Sequence, residues 1–153
     1  MGSYKFIDET LKEKYSHLDL SKNPWRELIK AGTGYKKGWH DLVIQLMQEI
    51  EIAYDNYNEP IENLKIHGIK EKYGGLQVDI GDSENENLNT VIYGLVDQYE
   101  ENSYSVCVEC GSMFAELCKN DRGCLQALCP KCAEKLEYQP ESKTLFVYMT
   151  IQK

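Results

Sequence analysis

A chain of 153 residues, 42% hydrophobic and 27% charged, has the length of one globular domain and the composition of a soluble one. Its formal charge is −8, and four thiolates closing on one Zn²⁺ would take it to about −10, a field that repels phosphate backbones and anionic lipid. No apolar run reaches the length of a membrane span, and "MGSYKFIDET" lacks the basic start and apolar core of a secretory signal. The expectation is therefore a single cytoplasmic domain over residues 1–153, with nucleic acid an unlikely partner.

The N-terminal third has helical spacing. Phe6, Ile7, Leu11 and Tyr15 recur in a weakly amphipathic stretch. In "SKNPWRELIKAG", Asn23 can cap, Pro24 suits the first helical position and Gly32 stops the run. "GTGYKKG" reads as a loop. Next, "WHDLVIQLMQEIEIAY" places Trp39, Leu42, Val43, Leu46, Met47, Ile50, Ala53 and Tyr54 on one broad apolar stripe, a core-facing helix.

From Leu64 the period changes to two, and "LKIHGIKEKYGGLQVDI" reads as a hairpin turning on Gly74-Gly75. That loop sets Tyr73 opposite Leu76, Glu71 opposite Val78 and Ile69 opposite Ile80, with Lys70 facing Asp79 as a cross-strand ion pair. Gly68 permits a bulge that keeps Leu64 and Ile66 on the inner face. Glu71 then falls among apolar positions, which implies either an open face near the turn or a specific partner. "DSENENLNTVIYGLVDQYEENS" is a further helix with Leu88, Val91, Ile92, Leu95, Val96 and Tyr99 in register and Asp82 or Ser83 as cap. The chain closes with "KTLFVYMTIQK", read as a well-covered strand.

Between these last elements lie Cys107 and Cys110 in "CVECG" and Cys129 and Cys132 in "LCPKC", two CxxC pairs separated by 18 residues. A two-residue spacer lets both sulfurs of a pair reach one ion from a tight knuckle, and two such pairs at this separation match a four-thiolate site. Six cysteines without an export signal fit a reducing compartment, where such pairs are metal ligands before they are disulfides. Zn²⁺ is favoured over iron, as one structural ion, because no site for a redox partner is visible. Pro130 can open a short helix with Leu136 turned inward, and Cys118 and Cys124 are read as spare buried thiols. The predicted fold is α+β: amphipathic helices packed on a small antiparallel sheet, with a four-cysteine zinc-ribbon or knuckle module at about residues 104–138.

"GTGYKKG" lacks the phosphate-cradling pattern, and no nucleophile and base are suggested by local context. No enzymatic activity is expected.

Taken in order, "GWHDLVIQL", "IKEKYGGLQVDI", "CVECG" and "LCPKCAEK" resemble a family of small uncharacterised phage and prophage proteins. Its members carry a G-W-x-x-L-I helix, a K-E-K-[FY]-G-G-L-R-[FY] hairpin and a CxxCG…LCxxC/H knuckle. The similarity runs from Gly38 to Ala133. Gln77 stands where the family has arginine, and Cys124 where it commonly has tryptophan. The resemblance implies an accessory protein that acts on host or phage machinery, with inhibition of a host defence system as one such role and no reaction of its own. An acidic surface suits a protein partner with a basic face. Two alternatives stay open. Lys70, Glu71, Lys72, Tyr73, Gly74 and Gly75 could hold an anionic nucleotide, or Lys119, Arg122 and Lys131 beside the metal could contact nucleic acid.

Overall fold

The computed structural model describes residues 34–141. The two N-terminal helices and the closing strand expected from the sequence lie outside them. After a 3₁₀ turn at Lys37–Trp39 come α1 (His40–Asn56), a second 3₁₀ turn (Ile61–Asn63), β1 (Ile66–Lys72), β2 (Gly75–Ile80) and α2 (Glu86–Ser103). The metal-module region follows as β3 (Glu116–Lys119), β4 (Leu125–Leu128), α3 (Pro130–Leu136) and β5 (Gln139–Pro140). The architecture is α+β as expected, and among the described residues the strands form two small antiparallel sheets, β1-β2 and, in the four-cysteine region, β4-β3-β5.

The predicted stripe of α1 is the core. Trp39, Val43, Leu46, Met47, Ile50, Ala53 and Tyr54 are all buried, against Leu88, Ile92, Val96 and Tyr99 of α2 and Ile69, Leu76 and Val78 of the hairpin. The cap of α2 is neither Asp82 nor Ser83. Asn85 Oδ1 accepts from the amides of Asn87 and Leu88, and Ser83 instead bonds Asn89 and so braces the capping loop.

The hairpin turns one residue earlier than the glycine pair suggests. Lys72 pairs with Gly75, so Tyr73 and Gly74 form the two-residue loop, with φ of 53° and 85°. Positive φ at both positions is the type I′ geometry that matches strand twist. Glu71 therefore faces Leu76, Ile69 faces Val78, and Lys70 faces Gln77 instead of Asp79, so the expected ion pair is not formed across the strands. Sliding the register by two residues leaves every side chain on its expected face; what distinguishes the two registers is space around the glycines. A Cβ on Gly75 would stand less than 3.0 Å from the Tyr104 ring, and one on Gly74 less than 3.0 Å from Leu117 Cδ1. The bulge at Gly68 is present, with Leu64 buried beneath it.

Both edges of this sheet are occupied. On the β1 side the expected loop contributes a bridge, Gly34 to Lys70, through bonds from Gly34 N to Ile69 O and from Glu71 N to Gly34 O. On the β2 side, Ser103 Oγ accepts from Leu76 N at 2.9 Å and Glu100 Oε2 from Val78 N at 2.8 Å.

The metal-module region is joined to the helices through Gly38 and Trp39. Gly38 N donates to Val108 O at 2.9 Å, Trp39 Nε1 donates to Val106 O at 2.8 Å, and the indole is fully buried. A Cβ at position 38 would stand less than 3.0 Å from the Cys107 and Val108 carbonyls, which are main-chain atoms that cannot swing aside. Gly38→Ala is expected to cost about 1–3 kcal/mol, read as a lower urea midpoint at unchanged slope. Gly68→Ala, with nothing within 4 Å of its added methyl, should stay within about 0.5 kcal/mol of the parent.

Candidate metal centre

Cys107 and Cys110 sit on a knuckle whose closure is visible in the backbone. Cys107 N donates to Ser112 O at 2.7 Å and Gly111 N donates to Cys107 O at 2.8 Å. Gly111 takes φ of 83°, a left-handed conformation that glycine adopts without strain. The second pair lies at a helix start. Cys129 is the N-cap of α3, Pro130 fixes the first turn, and Cys132 follows on the same turn. The hairpin β3–β4 spans the separation, pairing Glu116 with Leu128 and Lys119 with Leu125, and this returns the chain from the first knuckle to the second.

The four sulfurs all lie within 4.8 Å of one another, and Cys110 Sγ is 3.7 Å from Cys129 Sγ. Tetrahedral bonds of about 2.3 Å would set neighbouring sulfurs about 3.8 Å apart. The four cysteines are thus positioned to hold a metal ion, in a closed four-sulfur set. Cys107 and Cys129 are buried, Cys132 is partly covered and Cys110 is exposed.

The electrostatics of the protein alone are uneven. Burial would raise the Cys107 thiol, but the amides of Cys129, Cys110 and Glu109 directed at its sulfur prevail and bring it to about 7. Cys132 is pushed up to about 12, by burial and then by the sulfurs of Cys129, Cys107 and Cys110. At Cys110 the amide of Ser112 acts to lower the thiol, but burial and the sulfurs of Cys107 and Cys129 together outweigh it and leave the pKa raised. One thiolate forms readily and opposes the next. A cation at the centre is what allows all four to ionise together.

Cys118 and Cys124 are outside the cluster. Cys118 is buried under β4, with its sulfur 3.8 Å from Leu128 O, and burial raises its pKa. Cys124, expected to be buried, is exposed at the β3–β4 turn, where Asn120 Oδ1 accepts from the amides of Arg122 and Cys124. Leu136, expected to face inward, is also at the surface, and Ala133 is the residue of α3 that fills the core.

The hairpin residues proposed as a ligand site do not converge. Lys70, Lys72 and Tyr73 are exposed, and Lys72 Nζ lies 5.7 Å from the Tyr73 ring centroid. Gly74 and Gly75 are buried beneath the β3–β4 hairpin and Tyr104. Glu71 is on the opposite face from the lysines, half-buried, with Oε1 lacking a hydrogen-bond partner. Lys119, Arg122 and Lys131 are exposed.

Sequence reasoning missed a polar contact near this junction. Lys36 forms an ion pair with Glu109 of the knuckle and reaches Gln126 of β4 at 3.5 Å. Lys36 and Glu109 are remote in sequence and in unremarkable contexts, so no local signal could have paired them. Both act on Glu71: burial raises its pKa, Lys36 opposes this, and Glu109 adds to it.

Comparison of the chain with protein-family models, with curated proteins and with solved structures finds no match.

Substituting any one of the four clustered cysteines by serine is expected to abolish retention of one metal ion per chain, measured by elemental analysis after gel filtration. Cys124→Ser should leave it intact. A second outcome concerns Glu71. Its folded pKa is raised above the unfolded value, so the stability linked to it is present below the unfolded pKa and is lost as pH rises through the folded one. Glu71→Gln should therefore raise the denaturation midpoint at neutral pH, and the gain should vanish on acidification below the carboxylate range.

Proposed function

We propose that this protein is a zinc-stabilised accessory protein of phage or prophage type that works by binding another protein, with a component of a bacterial host defence system as its candidate target. The observation that carries this reading is the placement of charge. Eight of the 25 acidic residues and none of the 17 basic ones lie in α1 and α2, so the other 17 acidic residues balance the 17 cations and the helix pair accounts for the whole −8. Asp41, Asp55, Glu86, Asp97 and Glu101 point to solvent. A surface segregated in this way steers a basic protein face and repels nucleic acid.

One Zn²⁺ is the ion proposed for the cysteine cluster, since four thiolates in a closed tetrahedral set suit it and leave no position for an activated water. Its role is then to hold the fold. Among the described residues no helix is long and apolar enough to cross a membrane, and thiols kept as metal ligands suit the cytoplasm of a bacterial host. The similarity of the Gly38-Trp39, hairpin and knuckle motifs to phage and prophage proteins supplies the biological setting.

The test is crosslinking of the tagged full chain in a bacterial host, followed by recovery at low and at high salt and native mass spectrometry of what is retained. The expected result is one zinc per chain and a specific protein with a basic face, whose recovery without crosslinker falls as salt rises. A retained nucleotide lost in the Lys70→Ala/Lys72→Ala variant, with no protein captured, would replace this reading with ligand binding.

A further inference from the structure

The α1 stripe predicted from sequence accounts for its buried side but not for Ile52, which lies off it and is 59% exposed. On α2, Val91 was expected in the core and is 37% exposed. Both line a shallow groove of about 360 Å³ between the two helices, whose other walls are Glu49, Ala53, Asn56, Tyr57 and Leu95. Apolar side chains thus meet along a seam between the two helices whose residues account for the net charge of the molecule.

We propose that this groove is the seat of a basic amphipathic helix from the partner protein, an inference that rests on the protein-binding reading above and adds where and how the partner docks. Three features select that occupant. Apolar side chains line both walls, Ile52 and Ala53 on α1 and Val91 with Leu95 one turn apart on α2, so a third helix can lay an apolar ridge between them. The helices that frame the groove contain no Lys or Arg, which leaves the cations to the incoming chain. The C-terminal end of α1 also opens at the groove through Asn56 and Tyr57, with Asp55 in its last turn and no basic residue there. Carbonyl ends of helices favour cations, and this one lacks its own. A second copy of the chain would set this helix pair, which has no Lys or Arg, against itself, and an anionic lipid surface would meet the same repulsion.

The probe is a synthetic peptide about five turns long with leucines on one helical face and lysines on the other, set against a peptide of identical composition with the leucines scattered. Each is titrated into the ¹⁵N-labelled, zinc-loaded full chain. The expected result is saturable shifts of the amides around Ile52–Tyr57 and Val91–Leu95, with the scattered peptide at least tenfold weaker. Ile52→Ser/Val91→Ser should weaken the amphipathic peptide at least tenfold with little change in melting temperature, because both side chains are exposed. Asp55→Asn should reduce the salt dependence of binding. Equal affinity for the two peptides, shifts centred on Tyr73 and Phe114, or no binding would each overturn the proposal. Self-association of the chain alone that Ile52→Ser/Val91→Ser abolishes would assign the groove to a second copy and overturn it too. If the protein captured by crosslinking binds the Ile52→Ser/Val91→Ser variant as well as the parent, the groove is refuted while protein binding stands.

Discussion

Gly38 lies flat against the peptide joining Cys107 to Val108, and this approach of two backbones sets the geometry around it. Only a residue without Cβ allows it, and once made it brings Trp39 into reach of the Val106 carbonyl and Val108 into reach of Ala127. The largest buried side chain of the helical half is therefore tied to the segment that leads into the first metal knuckle. Packing at the start of α1 and sulfur geometry at the cluster are parts of one structure. The contribution of a bound ion to stability would pass through this junction, since Cys107 provides both a sulfur to the cluster and a carbonyl beneath Gly38.

What could be read from the sequence was what repeats locally. The stripe of α1 recurs over four turns and is buried as expected; two CxxC pairs at ribbon spacing foretold the clustering of four sulfurs. The hairpin was legible as a hairpin but not in register, because the two candidate turns place the same residues on the same faces and differ only in what packs over Gly74 and Gly75. Those neighbours, Leu117, Leu125 and Tyr104, come from segments some 30 to 50 positions further on. Val91 and Leu136 are outward because their helices meet the core with a narrower face than their apolar content suggests, and Cys124 because it lies in the β3–β4 turn. Gly38 looked like the end of a loop, for nothing in its flanking residues announces that another main chain will lie on it.

The electrostatic plan divides the chain differently from its fold. The helix pair carries eight carboxylates and no cation, while around the cysteine cluster charges of both signs are interspersed, among them Lys36 with Glu109. Glu71 is the exception at the junction, a carboxylate half-removed from water with one oxygen unpartnered. It costs stability where the hairpin meets the knuckle. The metal cluster and the acidic helices are built from different elements, joined through Gly38 and Trp39.

The two side chains that α2 lends to β2 have a further effect. Ser103 and Glu100 take up the outward amides of Leu76 and Val78, the groups through which an extended segment from another molecule would hydrogen-bond to that border of the sheet. With these donors already satisfied by the same chain, β-augmentation is closed there, both as a mode of recruitment and as a route to edge-to-edge aggregation when the protein accumulates in a crowded cell. At that border association is left to side chains, whose chemistry discriminates between partners, whereas a bare backbone border would accept any segment able to extend.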